Sequence, residues 1–573
     1  MFSEVVVLDF EFEIAPGERP SPVCCVAFEL ISGRRFRLMR DEMPASPPWA
    51  DGPSVLTVAY YASAEISCYL ELDWKPPERL LDLFVEFRNA ANGLPTPAGY
   101  SLLGALAYHG LDGIGAETKR ELQEAIGDGT WKDKFSAETV MSYCEQDARA
   151  LARLLPVMLP RINIAQALWR GRYMSAAGQI ECNGIPLDLP LLRRLREAWP
   201  HIQDQLIAEI DQDYHCYEGR AFKAAAFEAY LVRTGIPWPS LPTGRLDLSD
   251  GTFRSQAKAF PAVWALRELR AALSDLRLND LAVGADGRNR CMLSAFRSRT
   301  GRNQPSNSRF VFGPSTWIRG LIRPEPGQVL FYADWAQQEF GIGAALSGDA
   351  NMMRAYKSGD CYLSFAKMAG AVPEGATKET HQAERELYKQ TTFATAYGMQ
   401  AEGLALRIGK PPIVARDLLH RHRTTFRDFW RWSDGALDTA MLTGELSTVF
   451  GWTLHVGTDP NPRSIRNFAA QANAAEMMRV AAIKGIEAGV EIAAPVHDAF
   501  LVVSSVDRIE ADIATMRKAM AEASAAVLGG FVLESECKTV QWPARYSDPR
   551  GRTMWKRVMA LLDQVDAARK IVA

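Results

Sequence analysis

A chain of 573 residues exceeds what one hydrophobic core serves, so about two to four domains are expected. Apolar residues at 47% and charged ones at 23% describe a soluble globular protein, and no apolar run reaches the ~18 residues of a membrane span. A net charge of −3 leaves any grip on nucleic acid to local patches, while nine cysteines without a C-x-x-C pair and eight histidines without a ligand cluster exclude zinc and disulfide frameworks and fit a reducing cytoplasm.

The chain runs into a strand by Val5, which leaves no room for a signal or transit peptide. From there to Glu13 the pattern turns into strict alternation. Period two puts Asp9, Glu11 and Glu13 on one face and Leu8, Phe10 and Phe12 on the other. Three acids in alternate positions are unfavourable without a cation, so a metal site explains them better than a polar outer face does. A Pro-rich stretch (Pro44, Pro47, Pro48, Pro53) gives way to a predicted strand over 55–61 and a helix carrying Glu65. Leu80 to Phe84 reads as another strand entering a helix. The amphipathic run 141–155 is a helix with Tyr143 and Asp147 one turn apart on one face. Pro156 and Pro160 mark a domain boundary. A helical region follows, broken by the Pro- and Gly-rich run 235–244 and resumed over 261–281.

Between Arg288 and Arg323 stand eight arginines and not one Asp, Glu or Lys. Phosphate oxygens suit such forked donors, and eight unpartnered like charges would otherwise repel one another. Next comes an uncharged run, 329–333, that reads as a buried strand with Asp334 at its carboxyl end. A helix over 337–346 is stopped by Ser347-Gly348. A carboxylate there suits a metal as well as it suits a helix cap. Arg385, Lys389, Phe393 and Tyr397 recur every fourth residue, which makes one slanting helical stripe of two cations and two rings ended by Gly398. Cations in line suit a polyphosphate, and a ring beside them can stack on a base. The run 420–432 mixes bases with aromatics, and core plus surface explains it as well as DNA contact. Arg463, Asn467 and Gln471 share a helix face. The run 490–503 reads as a hairpin with His497-Asp498 near its tip. Asp334 and Asp498, both on strands, can meet in one sheet and hold a pair of divalent ions about 4 Å apart. The carboxyl-terminal run 554–567 is an amphipathic helix.

The segments around Asp334, Arg385 and Asp498, in this order, resemble motifs A, B and C of family A DNA polymerases, the bacterial DNA polymerase I family. The resemblance implies metal binding by Asp334 and Asp498, and a nucleotide-binding helix face of Arg385, Lys389, Phe393 and Tyr397. It makes Glu339 the steric gate against a 2′-hydroxyl and adds Gln337 and His497 to the nucleotide site. Tyr362 stands where the family commonly has a histidine near the triphosphate, and Ala499 where it has a glutamate. Thr300-Gly301-Arg302, with Asn307 in the same segment, is similar to a primer–template contact motif. Arg463, Asn467 and Gln471 resemble a palm helix that feels the minor-groove edge of the new pair, and 181–188 resembles the opening of the polymerase domain. Further upstream, Asp9, Glu11, Asp147 and Tyr143 resemble the motifs of DEDD 3′–5′ exonucleases. By that resemblance the three acids hold two metals and Tyr143 orients the attacking water. The remaining family acid is usually Asp, and Glu65 is its nearest candidate.

The implied architecture is an α/β and α+β multidomain chain, an RNase H-like exonuclease domain followed by a right-hand polymerase. Its boundaries are 1–164 (exonuclease), 165–285 (thumb), 286–350 (palm), 351–440 (fingers) and 441–573 (palm and carboxyl-terminal helix). The implied function is template-directed addition of dNTPs to a primer 3′ end by two-metal phosphoryl transfer, with 3′–5′ proofreading. Two Mg2+ per active site are implied, with Mn2+ as the alternative ion. The implied partners are primer–template DNA, dNTPs and an unidentified processivity factor, with no membrane and a monomeric chain. No separate 5′-nuclease domain fits before residue 1, which points to a phage, prophage or replicon-borne enzyme in bacterial or phage-infected cytoplasm. A single-subunit RNA polymerase is the nearest rival, disfavoured by Glu339 and the exonuclease motifs. A catalytically idle DNA-binding replication accessory protein is disfavoured by the acids, since binding alone prefers positive charge.

Overall fold

Residues 5–8 are apolar enough to be covered on both faces, and the strand that carries them, Glu4–Glu13, takes the middle of a five-stranded sheet. It runs antiparallel to Ser21–Glu29 and parallel to Val55–Ala59, with Arg35–Met39 and Leu80–Asp82 at the two edges. The strand expected over 55–61 ends at Ala59, because Tyr61 turns the chain with φ of 67°. Buried Asp82 then fixes the next turn. Its two oxygens accept the amides of Tyr61 and Ala62 at 3.0 and 2.7 Å, and Oδ1 also caps the helix Leu83–Ala90. That turn starts the helix Ser63–Glu71, which carries Glu65. The helix Ala137–Met158, capped by Ser136, lies on the strands Glu4–Glu13 and Ser21–Glu29. The computed structural model describes residues 2–112, 116–274, 278–313, 315–396, 398–457 and 460–572.

The boundary read at 164 falls where a helix starts, but that helix does not leave the first sheet. Ile164–Asn183 lies against Leu80–Asp82 and Ser63–Glu71 on one side and against Pro462–Glu487 and Glu491–Val496 on the other. Small residues permit this. A Cβ on Gly171 would stand 1.8 Å from the Leu80 carbonyl, so only glycine lets the two backbones approach so closely. Further helices follow at Leu189–Ile210, Ala224–Thr234, Asp250–Ala259 and Trp264–Ser274.

A second sheet, all antiparallel, has the order Glu491–Val496, Ala499–Ser505, Gln328–Trp335, Ser535–Gln541. Alternation divides its side chains between two cores. Phe331 and Phe500 belong to one shared with the helix Pro462–Glu487, while Leu330 and Leu501 join Leu189–Ile210 and the carboxyl-terminal helix Arg552–Val572. The stretch from Gln338 to Thr443 is helical and includes Gln338–Ser347 and Gln382–Ala396. Among the described residues no helix is long and apolar enough to cross a membrane.

Candidate active sites

Asp334 stands one residue before the end of its strand, in the middle of the second sheet. On one side it lies opposite Ala499, on the other opposite Glu536. The tight turn between the strands ending at Val496 and starting at Ala499 holds His497, with φ of 57°, and Asp498. The Trp335 amide points at the Asp498 carbonyl, 3.5 Å away, which places the turn beside Asp334. Burial, and then the Asp498 charge, push the Asp334 carboxyl up to about 7; Lys538 opposes the rise and Glu536 adds to it. Burial raises Asp498 as well. Among the described residues no hydrogen bond reaches the buried Asp334 Oδ1. Two repelling, half-buried carboxylates with an unsatisfied oxygen fit a divalent cation with oxygen preference.

A cavity of about 490 Å³ opens beside this pair. It brings together Asp334, Asp498, Gln337, Glu339, Tyr362, Phe393, His497 and Arg302. The Tyr362 and Phe393 rings stand 5.9 Å apart. Gln337 uses its amide on backbone, donating to the Gly359 carbonyl at 3.0 Å and accepting from the Cys361 amide at 3.1 Å. It therefore ties the start of the helix Gln338–Ser347 to the turn before Tyr362. Arg385 donates to Asp360 at 2.5 Å, and its guanidinium lies 5.5 Å from the centre of the Tyr362 ring. Lys389, 3.9 Å from Glu386, does not line the cavity. Tyr397 lies outside the described residues.

The arginine-rich segment is less bare than its sequence suggests. Arg288 pairs with Glu491, Arg290 with Asp286, Arg319 with Asp548 and Arg323 with Asp188. That corrects the expectation of eight unpartnered charges, since acids distant in sequence neutralise three of them and Asp286, just outside the segment, a fourth. Among the described residues Arg297, Arg299, Arg302 and Arg309 make no ion pair, and all but Arg302 are exposed. Arg297, Arg302 and Arg309, with Asn307, line a larger cleft of about 1190 Å³ that extends from the turn after Glu13 to His497. Gly301 has φ of 71° and a Cβ there would stand 3.1 Å from Trp452 Nε1, so the Thr300-Gly301-Arg302 turn requires glycine. Arg463, Asn467 and Gln471 lie along Pro462–Glu487 and line neither cavity. A Cβ on Gly398 would come within 3.0 Å of Arg463 Cγ, which puts the start of this helix beside the end of Gln382–Ala396.

At the first sheet Asp9 and Glu11, with Asp147 from the helix Ala137–Met158, offer carboxylate oxygens that all lie within 4.8 Å of one another. Tyr143, one turn before Asp147, donates its hydroxyl to it. Glu65 approaches from its own helix, and among the described residues its buried Oε2 has no hydrogen-bond partner. Burial first, then the Asp9 charge, push both Glu11 and Glu65 well above the carboxylate range. Such a cluster also fits divalent metal. Glu13 is not part of it: its carboxylate accepts the Trp131 indole N–H at 2.8 Å. The alternating acids thus supply two of the three clustered carboxylates, and a distant helix supplies the third.

The model of DNA polymerase family A matches residues 311–539, a stretch that holds Asp334, Glu339, Arg385 and Asp498. Over this segment, less than half of the chain, the sequence is similar to DNA polymerase family A. Similar proteins include the thermostable DNA polymerase I of Thermus aquaticus, 26% identical over 375 residues, 60% of this chain and 44% of that one. DNA polymerase I of Chloroflexus aurantiacus is 24% identical over 450 residues, 70% of this chain and 47% of that one. The DNA polymerase of Mycobacterium phage L5 is 27% identical over 414 residues, 66% of this chain and 63% of that one. The chain spans about half the length of these two bacterial relatives. In fold it is similar to the POL domain of Pol1 from M. smegmatis, solved in complex with DNA primer-template and dNTP. The TM-score is 0.72 at 18% identity, over 93% of this chain and 95% of that one.

Within the matched segment, three residues near the site escape sequence reading. Asp360 caps the next helix through Oδ1 and holds Arg385 through Oδ2; an Asp two residues before Tyr362, opening a helix, was the available signal. Glu536 and Lys538 reach Asp334 from a strand, Ser535–Gln541, that has no apolar run to announce it. The run 420–432 follows the core-plus-surface pattern. His422 is buried, held neutral by burial at about 3, and accepts the Trp430 indole N–H at 3.1 Å. Arg421, Arg423 and Arg431 pair with Asp417, Asp434 and Asp428.

Proposed function

We propose that this chain is a template-directed DNA polymerase that extends a primer 3′ end with dNTPs, and that its amino-terminal domain is a 3′–5′ exonuclease. The observation that carries the first half is the Asp334–Asp498 pair at the wall of a cavity shared with Glu339, Tyr362 and Phe393. Two Mg2+ ions on these carboxylates would activate the primer hydroxyl and neutralise charge on the leaving pyrophosphate. Arg385 and Lys389 supply cations for the triphosphate, and Arg385 exchanges Asp360 for phosphate oxygens as the nucleotide enters. The Tyr362 phenol can donate one hydrogen bond where it faces that tail. Gln337 acts through the 359–361 turn, whose backbone it holds. Arg302 and Asn307 take the primer–template, joined by Arg463, Asn467 and Gln471 on the long helix. In the amino-terminal domain Asp9, Glu11 and Asp147 would hold a second metal pair, with Glu65 as the nearest candidate for the remaining acid, and Tyr143 would orient the attacking water. The domain limits 1–164, 165–285, 286–350, 351–440 and 441–573 belong to this proposal, with the helix Ile164–Asn183 shared across the first boundary.

A primer-extension assay with dNTPs, with rNTPs and with no nucleotide tests the reading on one gel. Extension by dNTPs and shortening without nucleotide are expected; extension by rNTPs alone would favour the RNA polymerase reading. Sugar choice should depend on Glu339, which lines the cavity on the first turn of the helix after Asp334. A carboxylate there fills the space of a 2′-hydroxyl and leaves that group without a partner, roughly 1–3 kcal/mol for the lost hydrogen bond alone. Glu339→Ala is expected to raise rATP incorporation relative to dATP by about tenfold or more, read as a ratio of kcat/KM values. An unchanged ratio would make Glu339 a helix-surface acid.

A further inference from the structure

One of the contacts between the amino-terminal domain and the polymerase part is made by a short segment after the helix Leu83–Ala90. After the helix Leu83–Ala90 the chain turns through Asn92 and Gly93, and a Cβ on Gly93 would stand 2.2 Å from the His455 carbonyl. Asn89 donates to the Gly451 carbonyl at 3.0 Å and accepts the Thr453 amide at 2.7 Å. The His455 amide donates to the Asn92 carbonyl at 2.8 Å. Two buried side chains then continue past the hairpin of Glu445–Ser447 and Thr453–His455 to the arginine-rich loop. Arg88 donates through Nε to the Phe296 carbonyl at 3.3 Å and through Nη2 to the Arg297 carbonyl. Asn92, 2% exposed, spends its amide hydrogens on the Arg299 and Thr453 carbonyls, each at 2.8 Å.

The loop so held is one that would not keep its shape alone. Ser294 and Phe296 have φ of 49° and 57°, a left-handed conformation that costs energy for residues with a Cβ and persists only where surroundings fix it. From the polymerase side, Trp452 donates to the Arg299 carbonyl at 2.9 Å and Arg479 to the Gly301 carbonyl at 2.7 Å. The backbone from Phe296 to Gly301 is therefore clamped from both domains, while the side chains of Arg297 and Arg299 remain exposed and Arg302 reaches both cavities.

We infer that Arg88 and Asn92 are positioning residues for DNA: they preset the backbone of the Arg297–Arg302 loop so that its guanidinium groups meet primer–template phosphates without a further ordering cost. The inference rests on the DNA polymerase reading. It assigns the amino-terminal domain a part in polymerisation that is independent of its carboxylates. An unheld loop would pay its ordering on binding, and affinity would fall without any phosphate contact being deleted.

The test uses the full chain with Asn92→Leu and Arg88→Met, which keep apolar bulk and remove the donors. Kd for a primer–template duplex is measured by anisotropy in EDTA, where neither site turns over; kcat and the KM for dNTP are measured at saturating DNA with metal. Asn163→Ala, which removes a helix cap elsewhere in the amino-terminal half, is the control for general destabilisation. Expected is a Kd raised about tenfold in both loop variants, with kcat and dNTP KM within about twofold of wild type and the control binding normally. Wild-type Kd in both loop variants, or an equal loss in Asn163→Ala, would overturn the inference while leaving the polymerase reading in place. A wild type that binds no primer–template would overturn that reading and this inference with it.

Discussion

Asp498→Asn is expected to lower primer extension by about three orders of magnitude or more, while the chain still binds primer–template. The substitution preserves shape and the hairpin turn but removes one of two charges that face each other across the sheet end. Metal stabilisation of a phosphoryl-transfer transition state is worth several kcal/mol, and each decade of rate is about 1.4 kcal/mol. Its neighbour makes the contrast. Ala499 is fully buried directly opposite Asp334, so Ala499→Glu adds an acid to a place that already holds two. With metal present the expected change is about tenfold or less in either direction. Single-turnover extension of a labelled primer separates the cases. Wild-type rates in Asp498→Asn would remove this residue from the site, and an inactive wild type rescued only by Ala499→Glu would mean that the motif has decayed.

What the sequence made legible were features carried by local periodicity. Asp334 and Asp498 could be placed because an uncharged run and a hairpin pattern announce their strands, and the strand opening at Glu4 could be placed by alternation. What it hid were partnerships across the chain. Arg288, Arg319 and Arg323 look free because Glu491, Asp548 and Asp188 are far away in sequence. Glu13 shares a face with Asp9 and Glu11 in the pattern, yet the strand is irregular between Glu11 and Phe12, and Glu13 ends on Trp131. Proline signals put a boundary near 164, whereas glycines at 171 and 178 let the next helix lie on both halves. The strand Ser535–Gln541, half exposed and rich in polar residues, gave no periodic sign that it brings Glu536 and Lys538 to Asp334.

Asp9→Ala combined with Glu11→Ala is expected to abolish shortening of a single strand from its 3′ end, by about three orders of magnitude or more, and to leave dNTP extension within about twofold. The two carboxylate sets sit in different sheets, so removing one leaves the other intact. Of the three clustered acids only Asp147 would remain, with Glu65 beside it, too few to hold two ions. A second readout needs no nucleotide or DNA. Glu11 and Glu65 are pushed well above the carboxylate range in the folded chain, first by burial and then by their acidic neighbours. Such a group binds protons more tightly folded than unfolded. Its cost to stability therefore appears as pH rises from the ordinary carboxylate range through the raised folded value. In EDTA at neutral pH the double variant should accordingly melt above wild type, and the gap should close on acidification towards the ordinary carboxylate range or when divalent metal is restored to wild type. Degradation that persists at the wild-type rate would show that the amino-terminal carboxylates are not the nuclease site. A melting temperature unchanged or lowered at neutral pH would show that the cluster carries no such repulsion in the metal-free chain.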